Sequence, residues 1–217
     1  MRHGNLALFV PHLGCPHRCS FCDQRAITGV QRLPTPEDVC TLCKEAAQKT
    51  GRSLELAFFG GSFTCIDRQS LLSLLEAARP FLGAGISGIR ISTRPDAVEG
   101  EMLSLLKARG VTAIELGAQS MSDAVLKKNG RGHSARDVAE AAERVRGFGF
   151  ELGLQMMLGL DGAEESDDLA TARALIACRP DTVRLYPALV LRGTGLAERM
   201  RRGEYRPLTL EEGVRRT

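Results

Sequence analysis

The 217-residue sequence contains no tryptophan, and aromatic residues make up only 5% of it. The chain therefore has few side chains that could stack on the bases of single-stranded RNA. No apolar run is long enough to cross a bilayer, so we expect no transmembrane segment. Nothing in the first 30 residues resembles a secretory signal, and the seven cysteines are an odd number, which disfavours a disulfide framework. These absences predict a cytoplasmic protein, because a reducing cytosol keeps thiols available for metal.

The net charge of +3 is too small to indicate a nucleic-acid-binding protein by itself. Its distribution is uneven, because residues 1–36 carry four Arg against one Asp and residues 184–217 carry eight Arg against four Glu. The ends contribute +3 and +4, which leaves −4 for the middle of the chain. A polyanion would therefore meet the two ends. A solvated charged surface is the simpler explanation of the same pattern.

Residues 9–24, FVPHLGCPHRCSFCDQ, contain the most informative motif of the chain. Cys15, Cys19 and Cys22 form a C-x3-C-x2-C run, which can wrap one face of a metal centre. Soft sulfur ligands favour an iron–sulfur cluster or zinc. Three ligands would suit a four-iron cluster that leaves one iron open for a small molecule.

A zinc site is the alternative, since His12 or His17 could complete a set of three Cys and one His. The spacing does not decide between the two metals. A domain that binds zinc or a cluster without catalysis therefore stays among the possible functions.

Short apolar runs alternate with longer amphipathic segments along the chain. Six strands are predicted, at Leu6 to Val10, Leu54 to Phe59, Gly88 to Ser92, Thr112 to Leu116, Glu151 to Leu158 and Thr182 to Tyr186. The first helix is predicted from Thr35 to about Lys49. A second helix, after Gly60-Gly61-Ser62, carries Leu71, Leu72, Leu75 and Ala78 on one face. Further helices are predicted at Glu99 to Arg109, after Ser134, at Glu164 to Ala177 and at Gly195 to Arg202. Thr35 and Ser134 are suitable N-cap residues.

The repeated strand–helix unit predicts an α/β fold with parallel strands, namely a partial TIM-type (βα)6 barrel. In such folds the chemistry lies at the C-terminal ends of the strands, and the cysteine loop leaves the first strand at that end. Thr209-Leu210-Glu211-Glu212 is a capping box whose helix stops at Thr217. We therefore expect residues 1–217 to be one core domain, truncated at its C-terminus. This last helix should pack across the exposed sixth strand.

The motifs resemble the radical S-adenosylmethionine (radical SAM) enzymes. The resemblance rests on the three cysteines after the first strand, on FFGGSFT after the second and on the six βα units. ISTRPD at 91–96, ELGAQSMSDAVLKKNGRGH at 115–133 and LYPALVLRGTGL at 185–196 are similar to the radical SAM region of the Elongator catalytic subunit. A weaker similarity extends to the oxygen-independent coproporphyrinogen III oxidases.

The resemblance implies a [4Fe-4S] cluster on Cys15, Cys19 and Cys22, with S-adenosylmethionine on the fourth iron. Reductive cleavage would then give a 5′-deoxyadenosyl radical that abstracts hydrogen from a substrate. The electron would come from a donor such as flavodoxin or ferredoxin. In the Elongator case the substrate is a wobble uridine of tRNA. This chain lacks the Elongator acetyltransferase domain and spaces its first two cysteines more closely, so a small molecule such as a porphyrin is the alternative substrate.

Nine further residues are implied in cofactor binding by the same resemblance. Phe21 would lie near the adenine, and the Gly60-Gly61 turn would let backbone groups approach the methionine amino group. The side chains implied around the carboxylate and ribose follow the strands, and a planar guanidinium suits a carboxylate. The nine are Phe21, Gly60, Gly61, Ser62, Ser92, Arg94, Gln119, Arg131 and Gln155. Phe21 could equally be a packing residue, Gln155 a satisfied core amide and His133 a helix-entry residue.

Four further cysteines raise the hypothesis of an auxiliary cluster. Cys40 and Cys43 lie three apart in a predicted helix, Cys178 ends another helix, and Cys65 follows the Gly-Gly turn. Free cysteine is commonly a small buried hydrophobe, so we expect these four to serve packing.

Overall fold

The structure is a computed structural model that describes residues 3–11, 15, 19–47 and 53–217. Within these ranges, six strands form one sheet whose spatial order follows the sequence, and all neighbours pair in parallel. The strands are β1 (His3–Val10), β2 (Ser53–Gly60), β3 (Ile86–Thr93), β4 (Val111–Gln119), β5 (Glu151–Leu158) and β6 (Thr182–Pro187). The sheet curls into a half-barrel, which confirms the predicted (βα)6 architecture.

Nine helices connect and flank these strands in the described part of the chain. They are α1 (Gln24–Thr28), α2 (Pro36–Ala47), α3 (Arg68–Ala78), α4 (Gly100–Ala108), α5 (Asp123–Lys128), α6 (Ala135–Gly147), α7 (Glu165–Ala177), α8 (Gly195–Arg201) and α9 (Leu210–Arg216). The predicted caps are confirmed, because Thr35 and Ser134 accept from the backbone N–H groups of Asp38 and Asp137. None of the helices in the described ranges is long and apolar enough to span a membrane.

The main hydrophobic core lies between the sheet and the helices that cross it. Leu56, Ile91, Ile114 and Leu154 from four adjacent strands are fully buried in it. The helices contribute the apolar faces that their periodicity predicted, with the correction that Leu74 of α3 is buried where Leu72 is only partly so. Burial on both sides explains why the central strands read as nearly continuous apolar runs.

Two features of the helices differ from the expectations based on the sequence. The short helices α1 and α5 were not predicted, because five and six residues are too few for a periodic pattern. The region predicted as a helix to about Lys49 is helical to Ala47, and Lys49 lies outside the described residues.

The expected cover of β6 by the last helix is wrong. Thr209 does cap α9 in a capping box. However, Arg215 and Arg216 of α9 pair with Glu165 and Asp168 of α7, and α9 buries none of its own residues. All but one residue of β6 are classed as exposed, so the edge predicted at this strand is present in the described structure.

Candidate functional site

A cavity of about 580 Å³ opens at the C-terminal ends of the strands. Its size is typical of a small-molecule site. All twelve residues implicated by the sequence line this one cavity, and they come from the segments that follow β1 to β4, from the ends of β2, β3 and β4, and from within β5. They are Cys15, Cys19, Phe21, Cys22, Gly60, Gly61, Ser62, Ser92, Arg94, Gln119, Arg131 and Gln155.

The three thiols each lie near a polar side chain contributed by another residue. The Arg131 guanidinium donates from Nη1 to Sγ of Cys19 over 3.1 Å, and Gln24 donates from Nε2 to Sγ of Cys22 over 3.5 Å. Ser62 Oγ lies 3.9 Å from Sγ of Cys15. Such N–H···S contacts stabilise electron-rich sulfur and tune the potential of a cluster that the sulfur holds.

The three cysteines are placed where they would serve as cluster ligands, because all of them line the same cavity. Each cysteine of a [4Fe-4S] cluster binds a different iron, so three thiols around one cavity fit a cluster that leaves one iron open. His12 and His17, the alternative zinc ligands, lie outside the described residues.

The surroundings of the Cys22 thiol favour its protonated form. Burial, followed by the neighbouring Cys19 and Cys15 thiols, raises its pKa to about 12. Metal ligation requires the thiolate, so binding of a metal at Cys22 would release this proton.

Close backbone approach explains the Gly60-Gly61 turn. Gly60 has a φ of +99°, and a Cβ there would lie 2.7 Å from the carbonyl oxygen of Val10. A Cβ on Gly61 would lie 2.6 Å from the carbonyl oxygen of Pro11. The N–H of Gly61 donates to Val10 O over 2.6 Å. Because the two glycines have no side chains, the end of β2 can pack directly against the start of the cysteine loop.

Two arginines form a buried cationic wall. Arg94 is 3% exposed and donates to both oxygens of Asp96 and to the carbonyl oxygen of Arg131. Although burial opposes its charge, the hydrogen bonds to Asp96 hold the pKa of Arg94 above its ordinary value. Arg131 is 7% exposed and also donates to Gly117 O over 2.5 Å. Its Nε is buried with no partner among the described atoms, which leaves a donor for a ligand.

The end of β4 is irregular at Gln119. This residue has a φ of +68°, which is uncommon for a residue other than glycine, and the pairing with β5 shifts register beside it. Its Oε1 is buried without a partner among the described atoms. A Cβ on Gly117 would lie 2.9 Å from Gln119 Nε2, so the glycine leaves room for the amide. Strained backbone with an unsatisfied acceptor is characteristic of a binding site.

Gln155 lies in the cavity wall with its amide nitrogen already paired. The residue is half-buried and lines the cavity, and its Nε2 donates to Glu115 Oε2 over 2.7 Å. Glu115 is 1% exposed and also pairs with Arg184 over 2.7 Å. Arg90 completes an inward-facing network through Glu55 and Glu151. The amide of Gln155 is therefore fixed by a charge network that runs through the inside of the half-barrel.

Phe21 both lines the cavity and packs in a second, smaller core. It is 8% exposed and packs in a hydrophobic group with Val125, Leu160, Ala188 and Leu196. Ser92 and Ser62 are buried and line the same cavity.

Several residues that line the cavity were not predicted from the sequence. Phe9, Phe59 and Leu189 form an apolar part of the wall, and Arg184 lies over the Phe59 ring at 5.0 Å. Tyr186, which was predicted as the last residue of the sixth strand, is in β6 and lines the cavity. The available signal was their position at the strand ends, but apolar residues there are indistinguishable from core.

The other cysteines and His133 lie outside the cavity wall. Cys43 is fully buried in the main core, and Cys40 lies near the Ala77 carbonyl. His133 accompanies Asp123 and Asp137 in a separate surface depression. Burial, and next the Arg131 charge, lower its pKa to about 4. Its Nε2 contacts Ala118 O, and Nδ1 has no partner in the described structure.

Comparison with known proteins places this geometry among relatives. The tRNA uridine(34) acetyltransferase of Dehalococcoides mccartyi is 28% identical over 242 aligned residues, covering 93% of this chain and 52% of that protein. Elongator complex protein 3 of Homo sapiens is 36% identical over 122 residues, covering 55% of this chain and 22% of that protein. The chain thus spans only part of the length of these relatives.

A solved structure shares the fold. The archaeal Methanocaldococcus infernus Elp3 with an N-terminal deletion superposes with a TM-score of 0.76 at 22% identity, covering 98% of this chain and 52% of that one. The Radical SAM C-terminal domain profile matches residues 180–217, and the Radical SAM superfamily profile matches residues 9–175. The predicted resemblance is confirmed: this chain belongs to the radical SAM superfamily of enzymes.

Proposed function

We propose that Cys15, Cys19 and Cys22 hold a [4Fe-4S] cluster in this chain, and that S-adenosylmethionine binds beside it in the cavity at the strand ends. The observation that carries the proposal is that twelve residues chosen from sequence alone line one cavity. When bound, the cluster and S-adenosylmethionine supply a 5′-deoxyadenosyl radical that abstracts hydrogen from a substrate.

The residues of the cavity would bind the cosubstrate through complementary charge. The unpartnered Nε of Arg131 and the free Oε1 of Gln119 offer a donor and an acceptor that are already desolvated. Arg94, braced by Asp96, adds a fixed positive charge that favours a carboxylate. Gln155, held by Glu115, can orient a ribose hydroxyl without losing much side-chain entropy on binding. Phe21 would exclude water from the cluster side of the cavity.

The proposed substrate is a nucleoside of tRNA, and a cytoplasmic location is part of the proposal. Support comes from the relatives, one of which is a tRNA uridine(34) acetyltransferase. The eight Arg in residues 184–217 give that end a positive charge, which suits a polyanion. An electron donor such as flavodoxin or ferredoxin would reduce the cluster.

Anaerobic reconstitution with iron and sulfide tests the cofactor assignment. We expect about four iron per chain, a brown protein, and formation of 5′-deoxyadenosine and methionine from S-adenosylmethionine under reduction. Cys19→Ala should lose the chromophore and the cleavage, whereas Cys178→Ala, which removes a thiol at the end of α7, should keep both. A colourless wild-type protein that binds one zinc would refute the proposal and leave the non-catalytic metal-binding domain.

A small molecule such as a porphyrin is the second candidate substrate. It is favoured by one observation, the apolar wall of Phe9, Phe59 and Leu189. RNA affinity that falls steeply with salt would favour tRNA. Salt-independent binding of a porphyrin, with no RNA binding, would favour the second candidate. Mass spectrometry of tRNA nucleosides from a deletion strain would then identify the modified position.

A further inference from the structure

Ser20 lies between two of the proposed cluster ligands, and every hydrogen-bonding group of this residue is used. Its N–H donates to the carbonyl oxygen of Asn129 over 3.0 Å, and its hydroxyl donates to Asn129 Oδ1 over 2.8 Å. Its own carbonyl oxygen accepts from the N–H of Leu196 in α8 over 2.7 Å. The loop at Ser20 is thus hydrogen-bonded on two sides to segments that are more than 100 residues away in the sequence.

Asn129, one of the two partners of Ser20, is itself held in place by hydrogen bonds. It follows α5, is 0% exposed, and its amide nitrogen donates to the carbonyl oxygens of Val125 and Asp161 over 2.8 and 2.9 Å. Both amide protons and the amide oxygen are therefore used. Since two carbonyls accept from Nδ2, the orientation of the amide is determined by its surroundings.

Asp161, whose carbonyl oxygen accepts from the Asn129 amide, is itself held by ion pairs. Asp161 is 2% exposed and pairs with Lys128 at 2.9 Å and with Arg199 of α8 at 2.5 Å. This pairing ties α5, the loop after β5 and α8 together. Two residues beyond Asn129, Arg131 donates to Sγ of Cys19. One short segment therefore holds both Cys19 and the residue that follows it.

We propose that Asn129 is a positioning residue that fixes the backbone of the cysteine loop at Ser20 and so sets the placement of Cys19. A purely structural residue would stabilise α5 and leave the loop unaffected. The hydroxyl and backbone contacts with Ser20 instead couple the buried amide to a cluster ligand. The inference deepens the proposed function and rests on it for its purpose, but the coupling itself exists in the protein without a cluster.

The test measures alkylation of individual cysteines in the reduced, cluster-free chain at one fixed pH, with Cys178 as the internal reference. Asn129→Ala and Ser20→Ala should each raise the alkylation rate of Cys19 roughly tenfold, as expected for loss of a buried hydrogen bond. Ser20→Thr keeps the hydroxyl and should restore the slow rate. The matched control is Thr171→Ala, which removes a buried hydroxyl that bonds to Met121 N, away from the loop.

The outcomes separate a positioning role from general destabilisation. A faster rate at Cys19 in the two variants but not in Thr171→Ala supports the proposal. An unchanged Cys19 rate in folded Asn129→Ala, or an equal rise in Thr171→Ala, overturns it. If Asn129→Ala does not fold, Ser20→Ala decides alone, and an unchanged rate there overturns the proposal.

A second readout uses the reconstituted protein, in which loss of iron to a chelator should be faster in Ser20→Ala than in Ser20→Thr. Equal rates of iron loss in these two variants would also overturn the proposal. Alkylation needs neither the cluster nor S-adenosylmethionine. Failure of wild-type S-adenosylmethionine cleavage would therefore refute the proposed function and leave the positioning role of Asn129 intact.

Discussion

Gln155 donates from its amide to the carboxylate of Glu115 over 2.7 Å, and through it a cavity residue is joined to a buried charge network. The network includes Arg90 of β3 and Arg184 of β6, which approach the same Glu115 carboxylate of β4. Side chains that point to the inside of an open half-barrel are thus paired with one another. The position of Gln155 consequently depends on Glu115 and Arg90, which do not line the cavity themselves.

Replacing Glu115 with Ala should strongly destabilise the protein. The variant leaves the Arg90 and Arg184 charges and the Gln155 amide with fewer partners, and removing one side of a buried ion pair costs about 3–5 kcal/mol. Urea unfolding monitored by circular dichroism gives the loss. The control is Glu140→Ala, whose exposed pair with Arg136 should contribute less than about 1 kcal/mol. Equal losses in the two variants would contradict the network.

Arg131→Ala should retain the cluster and weaken S-adenosylmethionine binding. Loss of a charged donor to a carboxylate costs about 1.5–3 kcal/mol, which is roughly a 10- to 150-fold increase in Kd. Isothermal titration with the reconstituted protein measures it. Arg131→Lys keeps the charge but loses the planar fork, and we expect an intermediate affinity. Unchanged binding in Arg131→Ala would remove this residue from the site.

Gly61→Ala should destabilise the end of β2. Its new Cβ would lie 2.6 Å from Pro11 O and 3.0 Å from Val10 O, and backbone atoms cannot move aside cheaply. We expect a loss of about 1–3 kcal/mol, as for other overpacked sites. The matched control is Gly213→Ala in α9, where nothing lies within 4 Å and helix propensity should add up to about 1 kcal/mol. Chemical denaturation of both variants distinguishes the two signs.

Protein stability should fall in acid partly because of His133. Burial and the Arg131 charge lower its folded pKa to about 4, whereas the unfolded side chain has the ordinary value of 6.5. Between these values the unfolded chain binds the proton first, so stability is full above about pH 6.5 and is lost as the pH falls towards 4. The contribution approaches about 1.4 kcal/mol per pH unit within that window.

The measurement is the difference between wild type and His133→Gln in urea midpoints from pH 4 to pH 7.5. Carboxylates titrate in both proteins and cancel in this difference. A wild-type curve that runs parallel to that of His133→Gln would show that His133 titrates normally.

Cys40→Ala and Cys43→Ala should leave the proposed cluster intact. Cys43 is fully buried among apolar residues, and Cys40 lies at 3.8 Å from Ala77 O on the outer layer. We expect unchanged absorbance after reconstitution, with a stability loss of about 1 kcal/mol for Cys43→Ala as the smaller side chain leaves a void. Loss of absorbance in either variant would revive the auxiliary-cluster hypothesis.

Most of the fold was predictable because its central strands are buried on both faces and separated by amphipathic helices. The order of the six strands followed from the parallel βα repeat. The cover of β6 was not, because Arg215 and Arg216 of α9 find carboxylates on α7, and such long-range ion pairs leave no periodic signal. Helices α1 and α5 were missed for the simpler reason that they are short.

The lining of the site was predictable to the extent that motif positions coincide with strand ends. The backbone conformation of Gln119 was not, since its positive φ reflects the register shift between β4 and β5. Arg90 and Glu115 did carry a signal, as charged residues inside apolar strands that read GIRIS and AIELGA. A charge at an inward position of a buried strand requires a partner, and sequence alone does not show which strand supplies it.

β1 and β6 are the two ends of the described sheet and do not pair with one another. Phe9 of β1 and Tyr186 of β6 both line the cavity, and they are 37% and 41% exposed. The described half-barrel is therefore open along the side between β1 and β6 as well as at the strand ends. A molecule much larger than the cavity can insert a single group through this side opening while the rest of the molecule stays in water. For the proposed tRNA substrate, the cavity would then limit the size of the reacting nucleoside and not that of the whole RNA.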